Sequence, residues 1–551
     1  MKRIRLIALI ASLFCLSITA PAQKSTSPDS ARKKIMTEGR KNNQAMKHLD
    51  ELVNGIGPRL TSSDNLTKAC EWAVDKFKSF GIKDAHMVEW GTFPVGFNRG
   101  TLAGKMTRPE KLKFELTTRC WMPGTQGATK GHAVLAPTNS DELKALGKKL
   151  SGAWVLSRST GRGQRRRGNS PNNAGNFRKE LADAYGKAGI LGLVVGGRSE
   201  KLVHTSGNYR ISWDTRPTQV EVIIRRDQWK KVEAHLKANR PVELEFNIEN
   251  NFKKGPIKLY NVIADVKGTE FPNEIVIFGG HIDSWDGATG TTDNGTGVAT
   301  TVEAARLFMK SGIRPRRTIR FMLWSGEEQG LLGSWGWIRQ NEGELKKISG
   351  VFVHDGGTNY VSGIAATRAM LPLFKEALGP ISKLNKKLPF EIKEASSLPA
   401  GIGSDHDAFL SSGVPGFFWR QAGKAVYNYT HHTQHDTYDA AIGEYEAHTS
   451  MVVAMAAVGL GNADTMISRK GMRGRKLGVS LDYGDMSVTA VTSGSAAKEA
   501  GIQKGDKLLK IGNRAINRRR DLRRALAAID GDEAPVTVVR GGKDLKLIVK
   551  W

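Results

Sequence analysis

The chain is predicted to be an α/β protein with a mixed, largely parallel central sheet flanked by helices, a β-rich inserted domain and a small α+β domain at its carboxyl end. Three observations carry this. Short apolar runs at Ile275 to Phe278, Ile319 to Trp324 and Val351 to Val353 are mostly β-branched or aromatic and are bounded by glycine and polar residues. That is the composition of strands buried on both faces. Between the first two, Val298, Val302, Ala305 and Met309 recur at helical spacing until Gly312 and Pro315 end the run. Strand, helix, strand implies a parallel crossover, so successive strand ends point the same way. Finally, residues 119–254 and 474–551 break this pattern with shorter alternating elements of their own.

Taken in order, residues 1–22 have a basic start, a short apolar run and an A-P-A end, and are read as a signal peptide cleaved after Ala22. The run is too short for a permanent anchor, so the mature chain is expected to carry no membrane span. An exported protein, periplasmic or extracellular, follows. Residues 23–44 are a polar amino-terminal arm. Residues 45–118 open the main domain with a helix from Asn65 to Phe80, whose apolar face is Ala69, Trp72, Ala73 and Phe77. Residues 119–254 form the insert, 255–465 the catalytic part, 466–473 a basic linker and 474–551 the small terminal domain.

Composition excludes some classes. A hydrophobic fraction of 39% is ample for buried cores. The net charge of +29, from 83 basic and 54 acidic residues, favours anionic surfaces in general. Its runs are scattered and lack the aromatic interleaving of a single-strand binding platform, so no nucleic-acid partner is expected. Beyond the leader the chain has two cysteines, Cys70 and Cys120, able to form one disulfide or remain free thiols. There is no H-E-x-x-H helix, G-x-S-x-G elbow or P-loop.

Chemistry concentrates where the strands end. His281, Asp293, Glu328 and Asp355 follow successive strands, and a histidine-rich loop (His431, His432, His435) comes later. Open α/β sheets carry their sites at the carboxyl ends of strands. Imidazole nitrogen and carboxylate oxygen are zinc ligands. Asp293 in its D-N-G-T-G turn could bridge two ions with its two oxygens. The other ligands would complete the two shells, the partition between the ions being left open. Asp283 is placed to hydrogen-bond the free nitrogen of His281 and fix its tautomer. Glu327, beside a ligand but not one itself, is suited to take a proton from the attacking water and pass it to the leaving amine. Periodicity does not choose among His431, His432 and His435.

At these residues the chain resembles the co-catalytic zinc exopeptidases, metallopeptidase family twenty-eight, which include secreted bacterial aminopeptidases, carboxypeptidase Q and glutamate carboxypeptidase II. The matching motifs are H-I-D at His281, the D-N-G-T-G turn, G-E-E-Q-G, D-x-x-T-N-Y from Asp355 to Tyr360, S-D-H from Ser404 to His406 and H-x-x-x-D-T from His432 to Thr437. The resemblance implies two Zn2+ on His281, Asp293, Glu328, Asp355 and His432. It implies Glu327 as the catalytic carboxylate, and His431 or His406 as oxyanion or second-shell groups. Residues 119–254 resemble the protease-associated domain often inserted in such enzymes. Residues 474–551 resemble a PDZ domain with Leu477, Gly478 and Val479 in its carboxylate-binding loop, able to capture an extended peptide. Peptide substrates and a peptide or protein ligand are therefore the expected partners. An aminopeptidase is expected, with a carboxypeptidase Q-like carboxypeptidase or dipeptidase as one alternative. A non-catalytic binding protein on the same fold is another, disfavoured because the ligand set and Glu327 are complete.

Overall fold

The structure is a computed structural model that describes residues 26–157, 171–473, 475–482, 484–529 and 531–551. The leader expected at 1–22 lies outside the described residues. Helices α1 (Pro28–Lys41) and α2 (Asp64–Ser79) precede a long strand, β1 (Asp84–Arg108). Then come β2 (Leu116–Thr118), β3 (Ala128–Leu135), β4 (Trp154–Ser157), β5 (Gly192–Gly196) and β6 (Glu221–Ile224). A second long strand, β7 (Glu243–Val266), leads to β8 (Phe271–His281), α3 (Thr296–Ser311), β9 (Arg317–Trp324) and β10 (Ile348–Val353). Helix α4 (Asp405–Ser411), β11 (Gly416–Phe418) and helix α5 (Gly443–Gly461) complete this part.

One 12-stranded sheet runs through both regions; ten of its strands follow the order β11-β10-β8-β9-β7-β3-β4-β5-β6-β2, while β1, with the short strand Leu112–Lys113 on it, joins at β7. Strands β9, β8, β10 and β11 are mutually parallel where they pair, and β9 is antiparallel to β7. Trp324 pairs with His281 and Val353 with Gly279. The three carboxyl ends are therefore level, and the residues that follow each strand emerge on one rim. The sheet is continuous because β1 and β7 are antiparallel from Asp84↔Asp265 to Arg108↔Glu243. The carboxyl half of β7 pairs with β9 and its amino half with β3.

Local sequence explains the elements that hold this rim. Ser63 caps α2 by accepting a hydrogen bond from the Leu66 amide, and Leu66, Ala69, Ala73 and Phe77 form its buried face. Helix α3 stops at Gly312, whose φ of +70° is a left-handed cap that favours glycine. Helices α1, α2, α3 and α5 share one core with Val276, Phe278, Phe321 and Phe352 of the sheet. Phe278, Phe352 and Phe417 stack in series at 5.1 and 4.6 Å, pairs that add about 0.5–1.5 kcal/mol each beyond burial. The opposite face is covered by Trp324, Trp337 and Phe409. Cys70 and Cys120 are both buried free thiols.

The basic segment before the last domain is docked on the catalytic part. Arg469 donates to the carbonyls of Gly413, Leu345, Lys346 and Ile348, and Arg473 to that of Leu410. Beyond it, β12 (Val479–Leu481) pairs with β13 (Val488–Val491). Strands β14 (Lys507–Ile511), β15 (Arg514–Ala515), β16 (Glu533–Arg540) and β17 (Lys543–Lys550) form an antiparallel sheet around helix α6 (Arg519–Ala527). Among the described residues no helix is long and apolar enough to cross a membrane.

Candidate metal centre

The rim brings together side chains far apart in the chain. His281 Nε2 lies 3.1 Å from Asp355 Oδ1 and 3.2 Å from Asp293 Oδ1. On the other side of Asp293, His432 Nε2 lies 2.9 Å from Asp293 Oδ2 and 3.0 Å from Glu328 Oε2. His431 Nε2 is 3.5 Å from the same Oδ2, and its ring stacks on that of His432 at 3.7 Å. Asp293 thus belongs to two groups of candidate ligands, one with His281 and Asp355 and one with the paired histidines.

The carboxylate of Asp283 is used differently from the sequence expectation. His281 Nδ1 donates at 3.0 Å to the main-chain oxygen of Asp283 and is 3.5 Å from its carboxylate. That carboxylate instead accepts from the Thr61 hydroxyl at 2.9 Å and from the amides of Glu327 and Glu328 at 3.3 Å. It fixes the glutamate turn, while its own carbonyl orients the imidazole. Asp436, the aspartate of the H-x-x-x-D-T motif, accepts from the amide and hydroxyl of Thr292 and from the Asp293 amide. It ties the histidine loop to the turn bearing Asp293.

A buried cation lies beneath. Arg59 is fully buried and donates to the carbonyls of Gly57, Ile282, Thr289 and Gly290. Burial lowers its guanidinium to about 10, against the support of Asp436, Asp283, Asp293 and Glu328. It braces the loop that carries the chain from His281 to Asp293.

Burial of carboxylates dominates the electrostatics. Burial pushes Glu328 up to about 7, with Asp293 adding to the effect and His432 opposing it. Burial also raises Glu327 well above the usual carboxylate range, Asp355 and Glu328 contributing. Asp405, beneath the rim and in contact with the Ser334 hydroxyl, is raised to about 7 by burial. Glu328 Oε1 is buried without a well-formed hydrogen bond, and Asp293 Oδ2 faces only the imidazoles of His432 and His431. Imidazole nitrogens and carboxylate oxygens converging on open lone pairs fit divalent zinc.

Comparison with known proteins agrees with this chemistry. Residues 261–457 match peptidase family M28, and residues 474–551 match the PDZ domain. Residues 261–457 are those of an M28 peptidase. It is 25% identical over 438 residues to carboxypeptidase Q of Mus musculus, spanning 78% of this chain and 88% of that protein. It is 31% identical over 218 residues to a Saccharomyces cerevisiae protein named as a probable aminopeptidase, covering 36% of this chain and 56% of that one. The crystal structure of an M28 peptidase precursor from Shewanella amazonensis shares the fold, with a TM-score of 0.55, 24% identity, and coverage of 80% of this chain and 99% of that one. This M28 protein is accordingly a metalloexopeptidase, a hydrolase acting on peptides, with a PDZ domain at its carboxyl end.

Other sequence expectations for the M28 site fall less centrally. His406 is fully buried, packed against Phe418 at 5.3 Å and 3.5 Å from Asp407, and joins neither ligand group. His435 stacks on Tyr429 at 4.5 Å, away from both groups. It helps line a cavity of about 600 Å3 that borders the centre at Thr292 and Gly356, with Tyr427 and Tyr429 in its wall. Val426 and Tyr429 at its margin are 69% and 51% exposed, unusual for large apolar side chains. Arg59, Thr61, Asp405 and Asp436 were not singled out from sequence. Arg59 and Thr61 lie in G-I-G-P-R-L-T, Asp405 in S-D-H and Asp436 in the histidine motif, so each had a motif but no spacing that assigned it work.

Proposed function

We propose that this M28 enzyme is an exported di-zinc exopeptidase that removes residues from the amino end of peptides. The observation that carries the two-ion reading is the position of Asp293, with one oxygen beside His281 and the other beside His432. In this reading His281, Asp355 and Asp293 hold one ion, and His432, Glu328 and Asp293 hold the other. Zinc held by these residues would supply Lewis acidity to the scissile carbonyl and to the attacking water. Glu327 takes the proton from that water and delivers it to the leaving nitrogen. Asp283 keeps Glu327 in place through its amide. His431, stacked on His432, is set to donate to the oxygen that gains negative charge.

Charge favours the amino end. Glu327 and Asp355 stand at the rim, and Arg59 is spent on carbonyls, so a protonated α-amine is the complementary group. The cavity of about 600 Å3 beside the rim has the room and the tyrosine-rich wall for the adjoining side chain. A carboxyl-end specificity is the second reading. It is supported by the likeness to carboxypeptidase Q and by Lys424, a cation in the wall of the same cavity that could read a terminal carboxylate.

In the terminal domain we propose that Leu477, Gly478 and Val479 form the carboxylate-binding loop of a peptide groove. Gly478 has a φ of +82°, which favours glycine, and the adjoining strand β12 pairs only with β13 among the described residues. An extended peptide could add along its other edge.

A panel of free-amine and amine-blocked dipeptides offered to the zinc-loaded enzyme tests polarity. Hydrolysis confined to free-amine substrates is expected; cleavage of blocked ones with a free carboxylate would reverse the assignment. Glu327→Ala should keep its zinc and lose about a thousandfold in kcat. Unimpaired turnover would remove Glu327 from the mechanism.

A further inference from the structure

The loop that carries His432 is gripped from the inserted region. His432 has a φ of +60°, a left-handed conformation that a side chain rarely adopts without support. The Thr205 amide donates to the His432 carbonyl at 2.8 Å, and His204 forms a β-bridge with Thr433. The Val203 amide donates to Gln434 Oε1 at 2.8 Å, and Gln434 Nε2 donates to Glu115 Oε2 and the Lys201 carbonyl. Three consecutive residues of the histidine loop are therefore pinned by one short segment between β5 and β6.

The same segment presses on the loop between His281 and Asp293. A Cβ added to Gly287 would lie 1.7 Å from Thr205 Oγ1 and 2.8 Å from Thr205 Cβ, so glycine is required there by close approach. Beyond Thr205 the segment is held against Cys120, whose amide donates to the Ser206 carbonyl. The Cys120 thiol donates to Asp286 at 2.9 Å, and Arg99 pairs with the same carboxylate at 2.8 Å. Trp285 packs edge-on to the His432 ring with centroids 6.1 Å apart. Only about 10 Å3 of space remains among Thr205, Trp285, Gly287, Glu328 and His432.

We propose that Val203–Gly207 is a positioning strap that sets the orientation of His432 through the Thr205 amide, making the inserted region part of the apparatus that holds metal rather than only a cover. The strap touches no reacting atom. It acts through His432, and the inference rests on the reading of His432 as a ligand. Its absence would leave a left-handed loop residue to hold its own conformation, and the ion on the His432 side would be held less firmly than the one on the His281 side.

The test is a set of variants of the full-length, metal-loaded enzyme. Gly287→Ala drives a methyl into Thr205, and Gly287→Ala with Thr205→Gly removes the atoms it meets. Metal per chain is measured by elemental analysis across a chelator series, and the visible spectrum of the cobalt-substituted protein reports ligand geometry. Gly287→Ala should release one ion at a chelator concentration at least about tenfold lower than the parent, with an altered cobalt spectrum. The double variant should recover both to within about threefold. Retention of both ions by Gly287→Ala at parental chelator resistance, with an unchanged spectrum, would overturn the strap. So would failure of the double variant to recover when its thermal melt matches the parent. His432→Ala serves as the reference. If it keeps two ions, the ligand assignment itself fails; if it loses one while Gly287→Ala loses none, only the strap fails.

Discussion

His281 and His432 both direct Nε2 at Asp293, yet they stand on unlike supports. His281 is the last residue of β8, fully buried, with its register fixed by hydrogen-bonded strands on both sides and its ring turned by the Asp283 carbonyl. His432 lies on a loop, its side chain 29% exposed, in a left-handed backbone conformation and braced by contacts from elsewhere in the chain. A ligand at a strand end is placed by the sheet, at no cost beyond folding. A ligand on a loop must be held by added contacts, and here Asp436 and the Thr205 segment supply them.

The largest effect should come from the group common to both sides. Asp293→Ala is expected to empty both ion sites and abolish hydrolysis, whereas His281→Ala and His432→Ala should each lose one ion by elemental analysis. Retention of one tight ion in Asp293→Ala would separate the two sides that the geometry joins. Next is the brace under the strand-side loop. Arg59→Met strands four carbonyls, two of them in buried contacts, and should cost about 3–5 kcal/mol in denaturant unfolding. A loss below about 1 kcal/mol would show that the loop from His281 to Asp293 holds itself.

A third effect, seen only as pH rises, is expected on α5. Glu446 is fully buried, its carboxyl raised to about 8 by burial and eased only by Thr358. Neither oxygen has a well-formed hydrogen bond among the described residues. The native state keeps this proton from the ordinary glutamate range up to about 8, while the unfolded chain releases it. Stability should therefore fall as pH rises through that window and level off above it. Glu446→Gln removes the ionisation. Its melting temperature should match the parent near pH 4.5 and exceed it increasingly toward pH 8, by a few degrees for each kcal/mol or less. Parallel pH profiles of the two proteins would show that Glu446 does not titrate in this window.

Strand-side features were legible because they follow from local composition. Apolar runs at Ile275, Ile319 and Val351 predicted parallel strands that deliver His281, Glu327/Glu328 and Asp355 to one edge of the sheet, where Glu328 lies against His432 rather than His281. What escaped the sequence is contact made by main chain or between distant segments. The Thr205 amide is invisible in a side-chain pattern. Arg59 has the composition of a surface residue and is wholly enclosed. Asp283 was expected to serve His281 with its carboxylate, but Thr61, over 200 residues earlier in the chain, takes that carboxylate. The breadth of the sheet escaped for the same reason. Strand β1 contains Gly91, Pro94, Gly96, Gly100 and Gly104, residue types that weaken a strand interior, and its continuity depends on the facing strand β7.

That pair of strands is a girder shared by both lobes. Each strand runs from one lobe to the other as a single element, its pairing shifted in register at four points, so a pivot of one lobe against the other has to bend paired backbone. Access to the scission chemistry must come from side chains and loops at the margin rather than from a jaw that opens. The same girder means that excising the inserted lobe would saw through the beam carrying the catalytic strands, and heat should melt the two lobes in a single event.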